Sequence, residues 1–133
     1  MPGGLTPELL ALALAALLQV AQIGLAGAMM NRDAGAAYNA GPRDRPADLS
    51  PRTGRLRRAV DNHFEALALF TVAVVVVTLS GAASGLTAAC AWIYLVARML
   101  YVPAYAFGWS PWRSVTFGLG LAATLVMILT ALF

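Results

Sequence analysis

The chain has 133 residues, of which 60% are hydrophobic and only 11% charged. Its apolar residues gather into runs too long for a small soluble core, which excludes a soluble globular domain and points to an all-α integral membrane protein. The formal charge of +3 follows from where the arginines lie and reports membrane topology, so it calls for no nucleic-acid partner.

Four spans are predicted, Leu9–Met30, Ala59–Leu79, Leu86–Tyr105 and Pro111–Phe133, each near the ~20 residues that carry a helix across about 30 Å of hydrocarbon. Residues 1–133 thus form one domain, a four-transmembrane-helix bundle. The first span lacks a basic leader and exceeds the roughly 7–15 apolar residues of a secretory signal, so it is expected to stay in the membrane. All nine basic residues are arginine. Seven lie from Arg32 to Arg58, Arg113 lies between spans three and four, and Arg98 lies inside span three, while the link over 80–85 has none. The positive-inside rule then places both arginine-bearing connections in the cytoplasm and both termini on the opposite side.

Span one opens with Thr6-Pro7-Glu8, a cap, a first-turn proline and an acid that complements the positive helix end. Ala11 and Ala15, then Gly24 and Ala28, are spaced so that another helix can approach closely, within the subunit or from a neighbour. Gln19 and Gln22 are expected to face protein, because unpaired amides in hydrocarbon are costly. The cytoplasmic loop over 31–51 contains AGPRDRPADLSP, whose prolines preclude regular structure. It is longer than a usual helical hairpin connection, as a segment lying over a site or a plain linker would be.

The second helix is predicted to start at Pro51 or Arg52 behind a Ser50 cap and to run unbroken to about Leu79. Arg55, Arg58, Asn62 and Glu65 lie on one narrow stripe of it, given 3.6 residues per turn. Span three carries a second stripe, Tyr94, Arg98, Tyr101 and Tyr105. Arg98 and Glu65 come to similar depth, ~10 Å from the cytoplasmic end, and are expected to pair. A lone arginine in mid-membrane costs at least ~2.5–3.5 kcal/mol, which a nearby carboxylate offsets. The single cysteine, Cys90, reads as packing. His63 lies about 100° off the polar stripe, which fits a surface or interface histidine better than a catalytic one. As the only histidine it excludes a bis-histidine haem within one chain, and no metal site is expected. A small multidrug exporter, which also has four spans, would need a carboxylate deep in span one, and Glu8 lies only at that helix's outer end.

One ion pair would use two of these residues, yet Arg55, Arg58, Asn62, Tyr94, Tyr101, Tyr105 and Arg113 face the same inner mouth. Several arginines, an amide and a carboxylate suit a ligand with two carboxylates and one ammonium, and glutathione has that pattern. Its thiol must ionise near neutral pH to react. Lowering a thiol pKa of ~8.5 by two units takes about 2.7 kcal/mol, and one guanidinium at ~4 Å supplies up to ~4 kcal/mol at an effective dielectric of ~20. Arg113 is the candidate catalytic residue, and Ser114 either adds a hydrogen bond to the sulfur or, at the start of the last helix, satisfies backbone.

Arg55-x-x-Arg58-Ala59-x-x-Asn62-x-x-Glu65, then Ala97-Arg98-x-x-Tyr101-x-x-x-Tyr105 and Arg113-Ser114, resembles the MAPEG family, the membrane-associated proteins of eicosanoid and glutathione metabolism. The likeness covers about residues 41–116 and includes the Gly-Pro-Arg-Asp turn at 41–44. It implies a homotrimer of four-helix bundles in a bacterial inner membrane, with glutathione as cosubstrate bound between subunits near the cytoplasmic face. Arg55, Arg58, Asn62, Glu65, Tyr101, Tyr105 and Arg113 would bind it, with Arg113 activating the thiol; Arg98 and Ser114 complete the candidate set. The expected function is a detoxifying glutathione transferase or peroxidase acting on a lipophilic electrophile or hydroperoxide from the bilayer. Asp61, at an arginine of the microsomal prostaglandin E synthase, and Tyr101, at that enzyme's histidine, argue against prostaglandin synthesis. Phe117 stands where some members have a tyrosine near the sulfur. The alternative is a non-catalytic lipid-binding or scaffold member of the same fold.

Overall fold

The structure, a computed structural model, describes residues 4–43, 49–109 and 111–133. Five helices follow in order: α1 (Pro7–Ala34), α2 (Ala36–Ala40), α3 (Pro51–Ser80), α4 (Gly85–Ala106) and α5 (Trp112–Leu132). The four long ones are apolar enough to cross a membrane, and no strand occurs among the described residues. The protein is a multi-pass helical membrane protein.

Local chemistry sets the helix starts. Thr6 Oγ1 accepts from the Leu9 N–H at 3.2 Å with Pro7 in the first turn, and Ser50 Oγ accepts from the Thr53 N–H at 3.3 Å ahead of Pro51. α4 begins with a capping box in which Ser84 and Thr87 satisfy each other's backbone N–H groups. α3 ends on Gly81, whose φ of 74° is a left-handed conformation suited to glycine. At ~1.5 Å per residue the 30-residue α3 is about 45 Å long, so it outruns the hydrocarbon.

Two boundaries differ from the sequence reading. α1 continues past Met30 to Ala34, and α2 then occupies residues expected to be loop. Hydropathy stops at the first polar residue, whereas helical hydrogen bonding continues as long as no residue breaks it. Asn39 folds α2 back onto α1 by donating from Nδ2 to Asn31 Oδ1 at 2.7 Å and to the Gly27 carbonyl at 3.2 Å. The centre of the proline-rich loop, residues 44–48, lies outside the described residues, and with it Asp44 of the expected Gly-Pro-Arg-Asp turn. On its far side the Ser50 N–H donates to Asp33 Oδ2 at 2.9 Å, which ties the start of α3 to the end of α1.

α3 and α4 each pack against all the other long helices, whereas α1 and α5 do not touch. The bundle is therefore a rhombus in section, with α3 and α4 across its short diagonal. Towards the end away from the arginines, Ala11, Ala15, Phe70, Ala73, Val74 and Met127 form a close-packed core, with Phe70 and Tyr94 stacked at 3.9 Å. Cys90 belongs to this core. The small residues of α1 divide: Ala11 and Ala15 admit α3 and α4 of the same chain, while Gly24 and Ala28 are exposed. Gln19 and Gln22 are buried, as expected of amides at this depth. Gln19 Nε2 donates to the Val60 carbonyl at 3.1 Å and Gln22 Nε2 to Gln19 Oε1 at 3.3 Å.

Candidate functional site

The nine residues singled out from the sequence line three adjoining cavities among α3, α4 and α5. The outermost, about 320 Å³, is walled by Arg55, Arg58, Tyr105, Gly108 and Arg113. It shares Tyr105 and Arg113 with a middle cavity of about 290 Å³ that adds Asn62, Tyr101, Ser114 and Phe117. Phe117 in turn borders an inner, mainly apolar cavity of about 230 Å³ that contains Glu65, Tyr94, Arg98 and Gly120. The lining runs from charged to mainly apolar along α3, away from the arginine-bearing end, with Glu65 and Arg98 as the charged groups of the last cavity.

Helix periodicity places one wall. Arg55, Arg58, Asn62 and Glu65 descend α3 on one stripe and appear in the outer, middle and inner cavities in that order. α4 supplies the facing aromatics. Tyr105 lies between two guanidiniums: Arg58 Nε donates to its hydroxyl at 3.1 Å, and Arg113 Cζ stands 5.0 Å from its ring centre. Tyr101 packs edge-on against Tyr105 and carries the Arg98 guanidinium 4.1 Å above its ring. Arg113 enters from the first turn of α5, so its charge and the helix's positive end lie together at the mouth. The turn after α4 is shaped around an arginine: Gly108 has φ 67°, and a Cβ there would come within 3.2 Å of Arg55 Cζ.

The expected Glu65–Arg98 ion pair is not formed. Both line the inner cavity, but the only ion pair among the described residues is Arg32–Asp33. Arg98 instead donates from Nη1 to Asn62 Oδ1 at 2.9 Å and from Nε to His63 Nδ1 at 3.2 Å. Matching depths along two helices fixed the level at which Arg98 meets α3 but left open which side of α3 it approaches. It approaches between Asn62 and His63. Its Nη2 atom and the Tyr94 hydroxyl are buried without a partner among the described residues.

His63, expected at a surface or an interface, lies inside the bundle. It is fully buried in the angle between α1, α3 and α4, and its Nε2 lies 3.0 Å from the Ala15 carbonyl. Its 100° offset from the stripe is what lets it reach both neighbours, and a buried arginine one helix away was the signal for it. A separate cavity of about 350 Å³ lies on the α1–α2 side, where Met30, Asn39, Arg43, Arg57 and Asp61 line it.

Among the described residues no group of His, Cys, Asp and Glu is arranged to hold a metal. The site's resources are cationic and amide N–H donors, phenols, a hydroxyl and the Glu65 carboxylate, grading into a mainly apolar lining. That set can bind a small anionic ligand at the mouth and admit an apolar one beside it. No curated protein sequence matches the chain. The MAPEG family model, however, matches residues 8–133, nearly the whole length, and the chain belongs to the MAPEG family.

Proposed function

We propose that this protein is a glutathione-dependent transferase or peroxidase of the membrane, with its arginine end in the cytoplasm and both termini across a bacterial inner membrane. The carrying observation is the graded set of cavities: three arginines that make no ion pair among the described residues open onto an amide, then onto a mainly apolar cavity. Family membership supports it, since MAPEG includes glutathione transferases and peroxidases as well as non-catalytic members.

Arg55 and Arg58 would hold carboxylates of glutathione, with Tyr105 steered by Arg58. Glu65, free of Arg98, is left for the ammonium group. Glutathione supplies a nucleophilic thiol. Arg113 would stabilise the thiolate, with the Ser114 hydroxyl donating to sulfur, and Phe117 would separate the charged ligand from a lipophilic partner in the inner cavity. Transfer forms a sulfur–carbon bond as the electrophile's leaving group departs. Peroxide reduction converts two thiols and a hydroperoxide to a disulfide, an alcohol and water. The family's trimeric assembly would bring a neighbouring subunit against the exposed side of this site.

Thiolate ultraviolet absorbance on adding glutathione, and conjugation of a chlorodinitrobenzene-type electrophile, test the reading in wild type and Arg113→Ala. A thiolate signal and conjugation in wild type, both lost in the variant, are expected. Equal signals in the two would remove Arg113 from the mechanism. Tight lipid binding with no response to any thiol would favour the non-catalytic reading, which the apolar lining of the inner cavity also accommodates.

A further inference from the structure

We infer that His63 is a positioning residue that acts through Arg98 to fix the hydrogen-bond polarity of Asn62. At that point the cavity then accepts only a ligand group that presents an oxygen acceptor. The inference rests on reading the middle cavity as the ligand site.

The chemistry of each group forces the next. A guanidinium has five N–H donors and no acceptor. Arg98 Nη1 lies 2.9 Å from the Asn62 amide, so the side facing it must be the carbonyl oxygen. The Asn62 NH₂ group therefore turns the other way, and Asn62 lines the middle cavity with Tyr101, Tyr105, Arg113 and Ser114. No hydrogen bond uses that NH₂ group among the described residues. Both of its protons are thus left to a ligand.

The same logic fixes His63. Arg98 Nε can only donate, so the His63 Nδ1 it approaches at 3.2 Å must carry a lone pair. The Ala15 carbonyl can only accept, so His63 Nε2, 3.0 Å away, must carry the proton. His63 therefore takes the neutral Nε2–H tautomer, and one direction of donation runs through the relay: His63 to the α1 backbone, and Arg98 to both His63 and Asn62. A carbonyl or carboxylate oxygen meets complementary donors at Asn62, whereas an amide N–H or an ammonium meets like donors. The device differs from a simple clamp. An aspartate at position 63 would neutralise Arg98, whereas a neutral imidazole holds its direction and preserves its charge beside the cavity.

His63 is the only histidine, so nitrogen-15-labelled histidine gives one imidazole to observe in the full-length protein in nanodiscs. The expected spectrum shows a protonated Nε2 and an unprotonated, hydrogen-bonded Nδ1, and Arg98→Met shifts the Nδ1 resonance towards that of a free imidazole. A protonated Nδ1 or a cationic ring overturns the relay. The ligand arm compares glutathione affinity. Asn62→Asp keeps or strengthens the bond to Arg98, so unfolding is unchanged or later, yet an acceptor now replaces donors in the cavity. Affinity is expected to fall at least about tenfold, the loss of one charge-assisted hydrogen bond. Retained affinity overturns the polarity assignment.

His63→Leu should raise the KM for thiol more than it lowers kcat, and His63→Asn, whose Oδ1 replaces the Nδ1 acceptor, should recover most of the loss. Equal behaviour of these two variants reduces His63 to packing. A wild type that binds no glutathione overturns the proposed function and the ligand part of the inference, while the tautomer stands or falls by its own spectrum.

Discussion

The two polar sides of α3 solve the same problem in opposite ways. Towards α1, Gln19 and His63 spend their donors on backbone carbonyls of the facing helix, Val60 and Ala15, in a reciprocal pair of bonds across one seam. Towards α4 and α5, Arg55 and Arg113 present donors to open cavities, as does the Asn62 amide. Both sides carry polar residues inside a membrane protein, so polarity at depth is not by itself a mark of function. What separates the residues named is whether the protein uses their donors itself. Arg98 belongs to both, anchored by His63 on the closed side and holding Asn62 on the open one.

Substitutions should therefore divide into those that cost binding or chemistry and those that cost stability. The largest effect is expected for Arg113→Ala, with kcat/KM for conjugation reduced about 100-fold or more, as for loss of one preorganised electrostatic group, and unfolding in mixed micelles little changed. On the closed side, His63→Leu should lower unfolding stability by about 2–3 kcal/mol, because it strands a buried guanidinium N–H; stability equal to wild type would show that the seam does not depend on the imidazole. Arg58→Met, back at the open mouth, should weaken glutathione binding about tenfold by calorimetry with no loss of stability, and a stability loss instead would move Arg58 to the structural class. The smallest change is expected for Tyr94→Phe. Its hydroxyl is buried without a partner among the described residues, so removal should alter stability by less than about 0.5 kcal/mol, and a larger loss would reveal a bond this hydroxyl makes in the membrane.

Much of the architecture was legible because it rests on local chemistry. Ser50-Pro51 and Thr6-Pro7 start helices where capping rules place them, and α3 runs to Ser80 because nothing after Gly54 interrupts it. The candidate residues came together because helical period is a property of one chain segment. What was hidden depends on how helices face one another. Depth matched Arg98 to Glu65, but the azimuth of α4 against α3 gave it to Asn62 and His63. For the same reason His63 read as peripheral: an angle from the stripe says nothing until the positions of α1 and α4 are known. α1 outruns the span expected of it for a different cause, since hydropathy marks where lipid stops and not where a helix does.

Phe70, Val74 and Val77 anchor one end of α3 in the core, and Arg55 and Arg58 stand at the other, on a single rod with no internal break. The facing wall is built otherwise. Pro103 sits inside α4 between Tyr101 and Tyr105 and withholds the N–H that would bond the Met99 carbonyl. With one rung of its hydrogen-bond ladder missing, the tyrosine wall is expected to bend more readily than the arginine wall, so a molecule entering the mouth should be accommodated chiefly on the tyrosine side.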